Sequence, residues 1–310
     1  MSNWSLVTYR SADCHEHAGI RRADGAIVAP SELDAYSGAF DALQDWADLS
    51  ESLKSIDPEG LDEVSDAVEI LSLRFPRKVV CAGANYLDHI AEMGDSDVPS
   101  GWRPFFFLLP PTTALIGNGD VIEVPYGRKG VDWEAELAIV IGSPATRIDP
   151  ADAFDHIAGY ACLNDVTTRT ALRRDVALAP PFQWDWAESK ASDTFTPLGP
   201  VTPAWQVADP NALGIKLWVN DVLKQDGNTR DLICSLAEVV AAASHLCTLE
   251  PGDVIATGTP AGVGAARGEE LHDGDTVRIE IEGLAPLTNS VRVHNTVQRA
   301  GRQSSNALTA

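Results

Sequence analysis

Short runs rich in branched apolar residues recur along this chain, each closed by Gly, Pro or Asp, and this punctuation limits what it can fold into. The runs fall at 79–82, 105–109, 121–124, 135–141, 215–219, 254–257 and 277–281. Segments of this length and composition suit strands. Over the same stretch, helical spacing appears chiefly at 151–157 and 236–246. A doubly wound sheet needs a helix after nearly every strand, and that alternation is missing. The pattern therefore predicts a strand-dominated α+β domain over residues 73–297. Residues 1–72 read as a small N-terminal domain of mixed helix and strand. There, 5–9 and 26–28 suit short strands, with Arg22-Ala23-Asp24-Gly25 as a polar turn between paired segments. Phe40, Leu43, Trp46, Leu49 and Leu53 sit at helical spacing across 39–53. The small, polar residues of 298–310 predict a flexible tail.

Charge narrows the function. With 23 Lys and Arg against 45 Asp and Glu, the formal charge is −22, which repels phosphate backbones and anionic lipid. Nucleic-acid and membrane-surface partners are therefore not expected, and an anionic substrate needs a local positive centre such as a bound metal. No run approaches the roughly 18 apolar residues of a membrane helix. The start, Met1-Ser2-Asn3-Trp4-Ser5, has neither the basic nor the apolar region of a signal peptide. Cys14, Cys81, Cys162, Cys234 and Cys247 are an odd, scattered set without a C-x-x-C pair, which suits free thiols in a reducing compartment. A cytoplasmic location is expected.

Three acids carry the strongest chemical signal. In Asp132-Trp133-Glu134-Ala135-Glu136-Leu137-Ala138-Ile139-Val140-Ile141, the apolar second half marks a buried strand. Residues two apart on a strand point the same way, so Glu134 and Glu136 share a face. Side by side they repel unless protonated or bridged by a cation; the alternative is an exposed edge with two solvated acids. A second apolar run, 158–164, ends at Asp165, where an acid is costly unless paired or metal-bound. Three oxygen donors without a nearby histidine or cysteine suit a hard cation, Mg²⁺ first, then Mn²⁺ or Ca²⁺.

Other candidates depend on the fold. If 85–94 is helical, His89 and Glu92 share a face, and a carboxylate beside an imidazole makes a general base; a surface ion pair is the alternative. Lys190 is a solvated surface charge unless folding brings it to the carboxylates. Trp184 and Trp186 can be core or pocket lining. The stretch Thr257-Gly258-Thr259-Pro260-Ala261-Gly262-Val263-Gly264 matches neither G-x-G-x-x-G nor a P-loop, but its glycines permit a closely approached pocket wall. Cys14-His15-Glu16-His17 has ligand-type residues but no second cluster to complete a soft-metal site.

Taken in order, seven segments between 79 and 293 resemble the fumarylacetoacetate hydrolase family: A-G-A-N-Y-L-D-H-I-A-E-M-G, P-P-T-T-A-L-I-G-N-G-D, D-W-E-A-E-L-A-I-V-I-G, N-D-V-T-T-R, S-K-A-S-D-T-F-T-P-L-G-P, L-W-V-N-D-V-L-K-Q-D-G-N-T and L-E-P-G-D-V-I-A-T-G-T-P-A-G-V-G. The resemblance implies a mixed β-roll around a metal site, a homodimer, and metal ligation by Glu134, Glu136 and Asp165. It assigns the catalytic H-x-x-E pair to His89 and Glu92 and the family lysine to Lys190. Thr259 matches a pocket threonine, while Arg169 and Gln225 match polar substrate-side positions. Four residues depart from the family pattern: Leu109 where a lysine is frequent, Ser189 and Ser192 around the lysine, and Thr170 in place of an acid.

The expected chemistry is metal-dependent hydrolysis of a carbon–carbon bond in a small 1,3-dicarbonyl acid, an acylpyruvate or fumarylacetoacetate-like compound, through a metal-bound enolate. Decarboxylation of a 2-oxo acid of the oxaloacetate type, or hydration or isomerisation of a 2-oxo-enoate, would use the same site. A scaffold that binds metal without turnover is the non-enzymatic alternative.

Overall fold

The computed structural model describes residues 3–94 and 97–297, so the expected tail at 298–310 lies outside the described residues. Its centre is a mixed six-stranded sheet. In spatial order the strands are Thr202–Pro203, Ile157–Asn164, Ala135–Ile141, Val254–Ala256, Val79–Gly83 and Phe105–Leu109. Val254–Ala256 and Val79–Gly83 run parallel and the other neighbours antiparallel. A five-stranded sheet holds Val222–Asn228, Gly214–Val219, Thr276–Ile281, Leu287–Val293 and Val121–Val124 in that order. The strand-dominated α+β reading holds, and no closed barrel forms among the described residues. None of their helices is long and apolar enough to cross a membrane.

Burial of both faces explains the unbroken apolar run at 135–141, all seven residues of which are buried. Ala135, Leu137, Ile139 and Ile141 join Ile215, Leu217, Ile279 and Leu287 of the second sheet in one hydrophobic cluster. Ala138 and Val140 join a different cluster with Leu6, Ile20, Leu43 and Trp46 from the N-terminal segment. Glu134 and Glu136 lie on this second face by strand alternation. The N-terminal segment therefore packs over the Ala138–Val140 end of a surface whose other end carries acids.

The N-terminal segment forms a four-stranded sheet ordered Ile27–Val28, Glu16–Arg22, Trp4–Arg10, Val68–Ile70. The turn at 22–25 is present, but it joins Ile27–Val28 to Glu16–Arg22, a strand whose polar ends hide it in the sequence. Gly19 is required there because a Cβ would lie 2.9 Å from the Tyr9 ring. The single helix expected at 39–53 breaks into Ala39–Gln44 and Trp46–Leu53. Asp45 leaves helical geometry at the junction, and Trp46 stacks on Trp205 with centroids 5.5 Å apart. The segment expected as a helix at 151–157 is a 3₁₀ helix, Pro150–His156. Leu236–Leu246 is a full α-helix opened by a Ser235–Glu238 capping box.

Gly142 seats the N-terminal segment: a Cβ there would come within 2.6 Å of Trp46 Cδ1 and 2.9 Å of Ala158 Cβ. Gly142→Val should lower stability by about 1–3 kcal/mol through overpacking. Urea unfolding should show a lower midpoint, and the loss in the Gly142→Val, Trp46→Ala double variant should fall short of the sum of the two single losses, since neighbours are coupled.

Candidate metal centre and active site

Strand register brings the acids together. Ala135 pairs with Asn164 and Glu136 with Leu163, so Glu134 and Asp165 come opposite each other at the next step of the ladder. The Asp165 N–H donates to the Glu134 carbonyl at 2.9 Å, which continues the pairing beyond the last assigned strand residues. Carboxylate oxygens of Glu134, Glu136 and Asp165 all lie within 4.8 Å of one another, and all three residues are buried.

Side chains behind the strands hold this geometry. Asn164 Oδ1 accepts from the Glu134 N–H at 3.0 Å, and Gln225 Oε1 accepts from the Ala135 N–H at 2.9 Å. The Gln225 amide donates to Thr259 Oγ1 and to the Pro260 carbonyl, both at 2.8 Å. Gln225 is thus fully buried behind the site, bracing Thr259, and does not line the cavity. Thr259 does line it, with its hydroxyl donating to the Ala135 carbonyl. Gly258, at φ +99°, turns its N–H to Glu136 Oε2 at 2.7 Å. A side chain there would meet Asn85.

Two cations meet the acids. Lys190 ends the short helix Trp186–Lys190, which Asp185 caps by accepting from the Glu188 N–H. Its Nζ donates to Glu134 Oε2 at 2.6 Å, Asp165 Oδ2 at 2.7 Å and Thr167 Oγ1 at 2.7 Å. Arg169 Nε donates to Asp132 Oδ1 at 2.7 Å. Its Nη2 lies 2.5 Å from Glu134 Oε1, a contact of opposite charges without hydrogen-bond alignment. Asp132 is the site residue that sequence reading passed over. It extends the alternation of Glu134 and Glu136 by one more step, and that was its available signal.

Charge and burial set the protonation of the cluster. Burial disfavours the Lys190 charge, but Asp165 and Glu134 outweigh it and hold its pKa above the ordinary lysine value. Burial also works against ionised Glu134, yet Lys190 and Arg169 overcome it and keep that carboxyl low. Glu136 touches neither cation; burial, then Asp165 and Glu134, push it well above the carboxylate range.

The donor set fits a hard divalent ion. Asp165 Oδ1 is buried without a hydrogen-bond partner, and for Glu136 the attraction of Lys190 is outweighed by burial and by Asp165 and Glu134. An all-carboxylate group of this kind is what Mg²⁺, Mn²⁺ or Ca²⁺ binds. Cys14-His15-Glu16-His17 forms no such group. His15 pairs with Asp13, His17 contacts Ser11, and Glu16 pairs with Arg10 and Arg74. All five cysteines are free.

The acids open into a cavity of about 720 Å³ lined also by His89, Lys190, Arg169, Trp184 and Trp186. His89 and Glu92 lie on the helix Leu87–Glu92, and His89 Nδ1 is 2.7 Å from Glu92 Oε1. The Gly262 N–H donates to Glu92 Oε2 at 2.8 Å. Burial alone would raise the Glu92 pKa, but the His89 and Gly262 hydrogen bonds outweigh it and hold the carboxyl below its ordinary value. At neutral pH it is therefore an acceptor, and the proton between the two groups sits on Nδ1. Asn85 fixes the base of this helix, donating to the Cys234 and Thr257 carbonyls and accepting from the Cys234 N–H. None of the four departures lines the cavity. Leu109 is core, Ser189 donates to the Thr168 carbonyl, Thr170 donates to the Lys129 carbonyl, and the Ser192 carbonyl accepts from the Phe195 N–H.

Comparison with known proteins meets this geometry. Residues 78–292 match the family model Fumarylacetoacetate (FAA) hydrolase C-terminal. A Xenopus laevis protein named mitochondrial oxaloacetate tautomerase is 34% identical over 297 residues, covering 92% of this chain and 89% of its own. The structure of maleylpyruvate hydrolase from Sphingobium sp. SYK-6 superposes with a TM-score of 0.71 at 31% identity, over 94% of this chain and all of that one. Fumarylpyruvate hydrolase from Pseudomonas aeruginosa, solved with Mn²⁺ and pyruvate, gives a TM-score of 0.62 at 33% identity, over 70% of this chain and 90% of its own. A family match over most of the sequence, with a relative of nearly full length, establishes that the chain belongs to the fumarylacetoacetate hydrolase family.

Proposed function

We propose that this chain is a divalent-cation-dependent hydrolase that cleaves a carbon–carbon bond in a small 1,3-dicarbonyl acid of the acylpyruvate or fumarylacetoacetate-like kind. The observation that carries this reading is the 2.7 Å contact of His89 with Glu92 on the wall of a cavity that also holds three clustered carboxylates. Glu134, Glu136 and Asp165 would hold the ion, Mg²⁺ first, with Mn²⁺ or Ca²⁺ as alternatives. When bound, such an ion supplies Lewis acidity that polarises carbonyl oxygens and stabilises enolate charge.

The chain's own residues supply the proton transfers. Ionised Glu92 accepts a hydrogen bond from the His89 Nδ1–H, which keeps the proton on Nδ1 and leaves the Nε2 lone pair free to take a proton from water. The hydroxide so formed adds to the carbonyl carbon remote from the 2-oxo acid group. The bond from that carbon to the adjoining CH₂ breaks, and its electron pair passes into the enolate of the 2-oxo acid. The proton on His89 then goes to the enolate carbon. One water is consumed, and a carboxylic acid and a 2-oxo acid leave. Lys190 steadies the developing negative charge. Arg169, whose Nη2 makes no hydrogen bond, contacts the acid's oxygens, while Thr259, its hydroxyl donated to the Ala135 carbonyl, shapes the cavity wall with Gln225 as its positioning residue.

A second reading uses the same residues without water attack: His89 moves a proton between carbon and oxygen of an enolisable 2-oxo acid. The name of the Xenopus relative, which spans 92% of this chain, favours keeping it. In both readings residues 73–297 are the catalytic unit, since every site residue lies there. A homodimer is also proposed. Phe105–Leu109 is an edge strand with Phe105 and Leu108 exposed at 40% and 57%, and an apolar open edge invites pairing.

Chelation with EDTA should abolish turnover, and Mg²⁺ or Mn²⁺ should restore it. Glu136→Gln should lower metal affinity and reduce kcat by at least about 100-fold, of the order that removal of one electrostatic catalytic group costs. Calorimetric ion titration beside the rate assay checks both; tight binding without turnover of any acylpyruvate would favour the scaffold alternative.

His89→Ala should reduce cleavage of an acylpyruvate by about 10²–10⁴-fold, the usual contribution of a positioned base. Mass spectrometry decides between the readings, because hydrolysis adds water and yields two fragments while tautomerisation leaves the mass unchanged. Light scattering should give twice the chain mass, and Leu108→Glu should shift it towards the monomer.

A further inference from the structure

We propose that the end of the substrate remote from its 2-oxo acid group is a flat apolar substituent, an aryl or comparable hydrocarbon group, and not a second carboxylate. This deepens the function proposed above and rests on that reading for the placement of the acid end at Glu134, Glu136 and Asp165.

An aromatic wall leads from the charged cluster. Phe107 lies beside Lys190, with Nζ 5.7 Å from the ring centroid. Trp186 stacks on Phe107 at 5.1 Å and 15°, and Phe105 meets Trp186 at 5.0 Å and 49°. Gly83 allows this wall, because a Cβ there would lie 2.0 Å from Phe105 Cζ. Leu172, Trp184 and Met93 also line the cavity. A planar group can stack along such a surface, and its burial there removes apolar area from water.

Among the described residues, the same end offers no cation to a carboxylate. The lysine and arginine side chains that line the cavity are Lys190 and Arg169. Lys190 spends its three donors on Glu134, Asp165 and Thr167, and Arg169, fixed beside Asp132 and Glu134, belongs to the acid end of the cavity where the 2-oxo acid group is placed. Arg173 and Arg174, just beyond Leu172, turn instead to Gln183 and Asp185. A distal carboxylate among the rings would lose its hydration without a partner.

The test is calorimetric binding of 2-oxo acids that lack the 4-carbonyl and so cannot be cleaved. Full-length protein with Mg²⁺ is titrated with pyruvate, 2-oxo-4-phenylbutanoate and 2-oxoadipate. The phenyl acid should bind at least about tenfold more tightly than the dicarboxylate, a discrimination within the range of an apolar pocket. Trp186→Ala should narrow that ratio, and Met93→Arg, which adds a cation at the cavity wall on an exposed position, should shift it towards 2-oxoadipate. Equal or tighter binding of 2-oxoadipate by the unaltered protein, while pyruvate binds, overturns the inference and leaves the proposed reaction standing. Failure of pyruvate itself to bind removes the shared acid-end assignment, and the inference falls with it.

Discussion

Buried negative charge without enough positive charge to meet it is the constraint on which this molecule turns. Asp132, Glu134, Glu136 and Asp165 are all buried, and Lys190 and the largely covered Arg169 are the cations among them. The geometry divides the work: Arg169 serves Asp132 and Glu134, Lys190 serves Glu134 and Asp165, and Glu136 is left with a backbone N–H from Gly258. That hydrogen bond and the attraction of Lys190 do not outweigh burial and two like charges, so the Glu136 carboxyl is held above its ordinary range. The rise in its pKa and the bare Asp165 Oδ1 are two consequences of one shortage of positive charge.

Such a cluster is costly to bury, and a fully buried strand ladder holds it. The ladder between Ala135–Ile141 and Ile157–Asn164 is buried on both faces and fixes the Glu134–Asp165 pairing. A slip of one residue would turn every side chain of a strand to the opposite face, moving acids into hydrocarbon and Leu137 and Ile139 out of it. The hydrophobic clusters on the two faces therefore specify the site as much as the acids do. Asn164 and Gln225 add polar braces by satisfying the N–H groups of Glu134 and Ala135.

What could be read from the sequence follows the range of the interactions involved. Glu134 and Glu136 are legible because strand alternation is local, and His89 with Glu92 because helical spacing is local. The buried strands announce themselves through branched apolar runs. Glu16–Arg22 does not, because its ends are polar and only Ala18, Gly19 and Ile20 at its centre are fully covered. At the break at Asp45, Trp46 stacks on Trp205, a contact across the chain that helical spacing cannot reveal. Gln225 looks like a substrate contact from its motif, but its amide is consumed by Thr259 and Pro260. The aromatic wall joins Phe105 and Phe107 to Trp186 from a distant segment, so only the fold assembles it.

The departures from the family pattern gain a physical meaning from these positions. Ser189 and Thr170 spend their hydroxyls on backbone carbonyls, and Leu109 sits among apolar neighbours, so each change is absorbed by the scaffold outside the cavity. The cavity itself joins two environments. At one end, buried acids demand positive charge; at the other, rings offer apolar surface and, among the described residues, no free cation. A formal charge of −22 repels anions on balance, so the proposed acid substrate needs that demand met locally. In the proposed reading, the ion that completes the triad is also what makes the cavity attractive to an acid, while the rings select what the acid carries. Affinity for the acid group and choice of substituent are thus set by separate interactions. Substitutions in the aromatic wall can alter the second while the charge balance behind the first stays intact.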